Sequence, residues 1–297
     1  MGSDLCVLNF SIFRRYAILH ASRWRHSTFV LVAIGCVVSY AHARDDAESR
    51  AVAQQFIEAR DRHKPVERTD PVSVIVHEQL LAKAKQGKID VYFEGDSITR
   101  RWGATDYPEY LAHWRSHFHG RNAADFAWGG DTTHNILWRL RNGELEGLQP
   151  KVVVLQAGTN NLPWNGPASD ATVEDVVTGI KAIIYEFRTQ VPDAVIVLTA
   201  VFARPQNPEL APAIAAINKQ LSELADGKRI RFVNINDRLV DDDDKPRPGV
   251  FSDGLHLAVP GYEAWAKALQ PILQDVLGPP REQDQAPPPT GIPQVPK

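Results

Sequence analysis

The sequence predicts an α/β domain built on a parallel sheet with helices on both faces. Three observations lead there. Five short apolar runs alternate with longer stretches whose apolar residues recur at the helical period. The clearest run, Lys151–Ala157, is nearly all apolar, as a strand covered on both faces must be. The first three runs each stop at glycine, where chain reversals at the carboxyl ends of parallel strands need it.

In chain order, residues 44–87 are rich in charge and alanine, with Val52 and Phe56, then Val76, Leu80 and Leu81, at helical spacing. They read as one or two lead-in helices broken near Pro65 and Pro71. Ile89–Glu94 is the first strand and Asp106–Phe118 a helix carrying Tyr110, Leu111 and Trp114 on one side. Ala123–Trp128 is a short second strand ending at Gly129-Gly130, and Thr132–Arg141 is a helix capped by Asp131 or Thr132. Lys151–Ala157 ends at Gly158-Thr159-Asn160-Asn161. Thr172–Gln190 is amphipathic, with Val173, Val176, Val177, Ile180, Ile183, Ile184 and Phe187 in period. Ala194–Ala200 is the fourth strand, Pro208–Ala225 a helix, Ile230–Ile235 the fifth strand and Pro260–Leu277 the closing helix. Gly278–Lys297, with seven prolines and little apolar periodicity, is expected to be a disordered tail after a domain spanning residues 88–277. Asp241–Asp244 reads as a solvated loop, or less simply as a calcium site, for which the usual glycine and glutamate frame is missing.

The 297 residues are 43% hydrophobic and 23% charged, enough for one well-buried domain. A net charge of −3 with mixed signs shows no basic footprint for nucleic acid. Residues 1–43 carry Arg14, Arg15, Arg23 and Arg25, then an apolar run from Phe29 to Val38, then Ala41-His42-Ala43. That order describes a signal peptide cleaved after Ala43, leading to a periplasmic or secreted protein. The run is shorter than the roughly 20 residues of a membrane span. An uncleaved anchor, or lipidation at Cys36, are the alternatives. Cleavage would remove both cysteines, Cys6 and Cys36, and with them disulfides, thiolate nucleophiles and cysteine metal sites.

Four places carry residues suited to chemistry. Ser97 follows the first strand in Glu94-Gly95-Asp96-Ser97; a serine there is a nucleophile if a base serves it and a helix cap if none does. Asp253 and His256 precede the last helix, spaced so that a carboxylate can hold one imidazole nitrogen and leave the other free; a capping aspartate with a surface histidine is the plainer reading. Gly129-Gly130-Asp131 is a tight turn or a backbone donor site. Asn160 is a turn former or a side-chain donor to an oxyanion. In a doubly wound sheet all four places converge on one crevice.

In this order, Gly95-Asp96-Ser97, Gly130, Gly158-Thr159-Asn160 and Asp253-x-x-His256 resemble the four blocks of the SGNH (GDSL-type) hydrolases, over roughly Ile89–Leu277. Within that family, Trp128–Glu146 is similar to the catalytic subunits of platelet-activating-factor acetylhydrolase. The resemblance implies a flavodoxin-like α/β/α sandwich with five parallel strands. It implies Ser97 as nucleophile, His256 as base and Asp253 as its orienting acid. The oxyanion donors would be the N–H groups of Ser97 and Gly130 and the side chain of Asn160, with no metal and no cofactor. Asp96 is read as a local structural residue. Trp102, Trp128, Trp138 and Trp164 are candidates for pocket wall or core. The expected reaction is hydrolysis of a carboxylic ester, leaning to short acyl groups on a small-molecule, carbohydrate or lipid alcohol. The competing readings are acyl transfer to envelope carbohydrate, a metal-dependent phosphatase using Asp96, Asp131, Asp253 and His256, and a non-catalytic envelope-binding module.

Overall fold

The computed structural model describes residues 53–293, and the signal-peptide and cleavage readings lie outside the described residues. A helix over residues 53–62 (α1) is followed by extended chain and by Pro71–Ala84 (α2), whose N-cap Asp70 accepts from the backbone of Ser73 at 3.0 Å. Proline at the first helical position loses no hydrogen bond, so Pro71 starts a helix as well as ending the extended stretch.

The sheet contains Val91–Gly95 (β1), Ala123–Asp125 (β2), Val152–Gln156 (β3), Val195–Thr199 (β4) and Ile230–Val233 (β5). All neighbours are parallel, in the order β2-β1-β3-β4-β5, the doubly wound arrangement with its switch point between β1 and β3. The register pairs Gly95 with Gln156 and Leu155 with Leu198, so β1, β3 and β4 end level with one another.

Strand side chains alternate between the two faces. Val91, Phe93, Val152, Val154 and Val197 face a layer made by Ser97–Gly103 (α3), Pro108–Phe118 (α4), Asn236–Leu239 (α8) and Val259–Leu277 (α9). There Trp102 stacks on Tyr262 at 4.9 Å and meets Trp114, Phe118 and Trp265. Tyr92, Val153, Leu155, Ile196 and Leu198 face Thr133–Arg139 (α5), Asp170–Gln190 (α6) and Ala211–Ser222 (α7), together with Phe56 of α1 and Val76 and Leu80 of α2. Fully burying one such apolar side chain stabilises the fold by roughly 1.5–3 kcal/mol relative to exposure. The fold is therefore a three-layer α/β/α sandwich, and the lead-in helices are part of one of its layers.

Two stretches differ from the sequence expectation. Residues 97–103 form α3, a helix the sequence reading passed over: its seven residues are too few to show a period, and burial of Ile98 and Trp102 settles it. Asp253–His256 precedes the last helix, as expected, and lies in a loop; the helix begins at Val259. The proline-rich segment is ordered as far as residue 293. It runs as an extended strap, with the Arg281 N–H donating to the Gly120 carbonyl (2.9 Å), Gln285 exchanging bonds with Asn122 and Lys88, and Thr290 accepting from Thr105. Proline removes donors but also removes chain freedom, so a few backbone bonds suffice to hold the strap. Asp241–Asp244 is an exposed turn whose Asp241 carboxylate accepts from the backbone of Asp243 and Lys245.

Candidate active site

The site begins where β1 stops. Gly95 lets the chain pass close to β3 and α3, because a methyl group there would stand 2.4 Å from both the Gln156 carbonyl and the Thr99 hydroxyl. Asp96 then caps α3, its Oδ1 accepting from the Ile98 N–H at 2.9 Å. Since Asp96 takes the capping role, the hydroxyl of Ser97 is free for another partner. That partner is His256, whose Nε2 lies 2.9 Å from Ser97 Oγ.

The tautomer follows from the other side of the ring. Asp253 Oδ2 lies 2.7 Å from His256 Nδ1, and a carboxylate can only accept, so the proton sits on Nδ1. Nε2 then presents a lone pair to the Ser97 hydroxyl. Asp253 is held in turn: its Oδ1 accepts from the backbone N–H groups of Leu255 (3.1 Å) and His256 (2.7 Å). Burial lowers the His256 pKa below its ordinary 6.5, Asp253 works against that shift, and the Arg101 cation adds to it. Partial burial works to raise Asp253, but the hydrogen bonds from the His256 backbone and ring outweigh it, and the carboxyl ends below its usual range. Arg101 Nη1 stands 3.4 Å from Asp253 Oδ2.

The turn Gly129-Gly130-Asp131 lies directly beside Ser97; a methyl group on Gly129 would come within 3.7 Å of Ser97 Cβ. Gly130 adopts φ +82°, a left-handed conformation that glycine reaches without strain. Asn160 sits in the single 3-10 turn Thr159–Asn161 after β3, and its Nδ2 donates to the Asp131 carbonyl at 2.9 Å. That bond ties Asn160 to the Gly130 turn and uses one of two amide hydrogens. The structure thus brings together all five residues expected from the sequence: Ser97, His256, Asp253, Gly130 and Asn160.

Two supporting arginines were not foreseen. Arg68, in the extended chain after α1, donates to the Gly129 carbonyl (2.6 Å) and to Asp131 (3.2 Å), fastening the glycine turn from outside. Arg139 of α5, fully buried, does so from inside. It donates to Asp131 (2.8 Å), Glu94 (2.6 Å), Glu144 (2.5 Å) and the Phe126 carbonyl (3.0 Å). Glu94 and Asp131 are the residues beside Gly95 and Gly130, so this one side chain links the end of β1 to the turn after β2. Burial pushes both carboxyls up, and Arg139 opposes it. The sequence signal was a cation in the apolar stripe of Ile136 and Leu140. Asp96 is also wholly buried, and burial pushes its carboxyl up to about 7.

Trp102 is core and Trp128 is buried beneath Arg100 and bonded to Ser73, while Trp138 packs near His77. Only Trp164 of the four stands in solvent. The metal-dependent reading finds its ligands engaged otherwise: Asp131 by Arg139 and Arg68, Asp96 by Ile98, Asp253 by His256. Among the described residues two other groups could hold a cation, His63 with His134 and Asp175, and His113 with His117 and Glu263. In the second, the Trp102 indole N–H donates to His113 Nδ1 at 3.0 Å, which places the ring proton on Nε2 and opposes a metal there.

A doubly wound parallel sheet carrying a hydroxyl, an imidazole and a carboxylate in hydrogen-bonded series, flanked by a glycine turn and an asparagine amide, has the parts of an ester-cleaving hydrolase. Comparison with known proteins agrees. Residues 93–264 match the GDSL-like Lipase/Acylhydrolase family. Platelet-activating factor acetylhydrolase IB subunit alpha2 of Rattus norvegicus is 32% identical over 203 residues, 68% of this chain and 83% of that one. The alpha1 subunit from the same species is 33% identical over 223 residues, 73% of this chain and 86% of that one. Among solved structures, a candidate acylhydrolase from Bacteroides fragilis superposes with TM-score 0.55 at 24% identity, covering 70% of this chain and 99% of its own. A member of the lipolytic protein G-D-S-L family from Veillonella parvula gives 0.50 at 17% identity, covering 62% and 97%. The chain belongs to the GDSL-like lipase/acylhydrolase family and is a hydrolase acting on ester bonds.

Proposed function

We propose that the protein is an exported serine esterase that removes short acyl groups, acetyl above all, through an acyl-enzyme on Ser97. The observation that carries the mechanism is the hydrogen-bonded series Ser97–His256–Asp253, with 2.9 and 2.7 Å links. His256 Nε2 takes the hydroxyl proton as Ser97 Oγ attacks the ester carbonyl, and the imidazolium is stabilised by Asp253. The oxyanion is met by the N–H groups of Ser97 and Gly130 and the second hydrogen of Asn160. His256 then returns the proton to the leaving alcohol. Water, deprotonated by the same nitrogen, releases the acid and restores Ser97.

Lowering the His256 pKa keeps the ring neutral, and so competent as a base, at neutral pH. Support for a short acyl group comes from the likeness to the acetylhydrolase subunits. Support for export comes from the basic region, apolar run and Ala41-His42-Ala43 in the first 43 residues. Among the described residues no helix is long and apolar enough to cross a membrane.

The test is an ester series from acetate to palmitate. Turnover falling with chain length, and abolished in Ser97→Ala, is the expected result. A preference for long chains would overturn the acyl assignment, and a fully active Ser97→Ala enzyme would overturn the mechanism.

A further inference from the structure

Trp164 is exposed to 65%, an unusual setting for so large an apolar ring, yet it is held in place. The Asn207 side-chain amide donates to the carbonyls of Trp164 (3.3 Å) and Gly166 (2.9 Å). The Arg204 guanidinium lies over the indole, 5.1 Å from its centroid, and donates to the carbonyl of Thr159, the residue before Asn160. Arg204 is itself buried. Two residues on, the Gln206 N–H donates to the carbonyl of Gly254, between Asp253 and His256. One short segment, residues 204–207, therefore touches the Asn160 turn, the Asp253–His256 loop and the Trp164 loop. The indole is thus tied through Arg204 to the segment that borders both site loops, with Arg204 on one face and most of the ring in solvent.

What suits the exposed side of the ring follows from its underside. A cation beneath an aromatic ring opposes a second cation above it, which disfavours a quaternary ammonium headgroup. A neutral, flat ring with a C–H face and a hydroxyl rim meets no such opposition. The site is also open: Ser97 and Asn160 are partly exposed and Gly130 is exposed, so a bulky alcohol can approach Ser97. We propose that Trp164 is the platform on which a sugar ring of the substrate stacks, and that the ester cleaved is an O-acyl group on a saccharide. This rests on the reading of Ser97 as the nucleophile of an esterase.

The experiment compares kcat/KM for an acetylated xylo-oligosaccharide with that for vinyl acetate, which has no ring to stack, in wild type, Trp164→Ala, Trp164→Phe and Ser97→Ala. An acetylated glycerolipid bearing choline is the third substrate. In Trp164→Ala the saccharide-to-vinyl-acetate ratio should fall about tenfold, the size of losing one aromatic contact, with most of the change in KM. Trp164→Phe should recover most of it. An unchanged ratio with esterase activity retained overturns the platform alone. A selective loss on the choline lipid instead of the saccharide overturns the assignment to sugar. Wild-type protein inert toward all three esters, or Ser97→Ala as active as wild type, overturns the esterase reading and the platform with it.

Discussion

Replacing Arg139 by methionine keeps an unbranched apolar stem but removes every donor from a buried set of acids. Four bonds are lost, to Asp131, Glu94, Glu144 and the Phe126 carbonyl, at 2.5–3.0 Å. Summing charged hydrogen bonds at about 1.5–3 kcal/mol each would overshoot, because the abandoned carboxyls can take up protons. Removing one partner of a buried ion pair costs about 3–5 kcal/mol, and we expect a loss of that size at pH 8. The sign of the pH dependence is fixed. Without Arg139 the folded-state pKa values of Glu94 and Asp131 rise further above their unfolded values. The variant's folded form then gains stability relative to wild type as pH falls through the interval between each carboxyl's wild-type pKa, about 8 for Glu94, and its higher value in the variant, by up to about 1.4 kcal/mol per pH unit for each carboxyl. Urea unfolding at about pH 9.5, 8.0 and 6.5 measures it, with Arg139→Lys as a variant that keeps a point charge but not the fork and should lose less. A loss under about 1 kcal/mol, or one that grows as pH falls, would refute the network as the support of the glycine turn.

Three further outcomes are expected. Arg101→Gln removes a cation that lowers the His256 pKa, so the acid limb of kcat/KM should move to higher pH; a downward move would contradict the assignment of His256 as base. Asn160→Ala removes the proposed side-chain donor to the oxyanion, so kcat should fall about 10²–10³-fold with KM little changed, read in steady-state kinetics on an acetyl ester. Asp96→Asn can keep the cap to Ile98 while losing the titration. The folded pKa of Asp96 is raised to about 7 from an ordinary 3.8, so its contribution is present below that lower value and is lost as pH rises through 7. Denaturation between pH 4 and pH 8 should shift the stability difference toward the variant by on the order of 2–4 kcal/mol.

The strands were legible because a parallel strand covered on both faces is largely apolar, and Val152–Leu155 shows that without reference to anything distant. The order of the site residues was legible for a related reason. Strand ends in a doubly wound sheet converge whatever lies between them, so Ser97, Gly130 and Asn160 could be placed before their contacts were known. What local pattern could not carry were partners distant in sequence. Arg68 reaches Gly129 across 61 residues, and Arg139 gathers acids 45 residues before it and five after it. Proline content after Gly278 reads as disorder, whereas the order of the strap depends on Gly120, Asn122 and Thr105, which composition does not contain. Within the lead-in region the helices over 53–62 and Pro71–Ala84 pack into one layer of the sandwich because Phe56, Val76 and Leu80 meet residues far along the chain.

The central claim is that the hydroxyl of Ser97, deprotonated by His256, is the group that attacks. A fluorophosphonate probe followed by peptide mass spectrometry tests it most directly. A single adduct on Ser97 is expected, absent in Ser97→Ala and formed at least about 10²-fold more slowly in His256→Ala. An adduct on another residue, or equal labelling of Ser97 without His256, would contradict it.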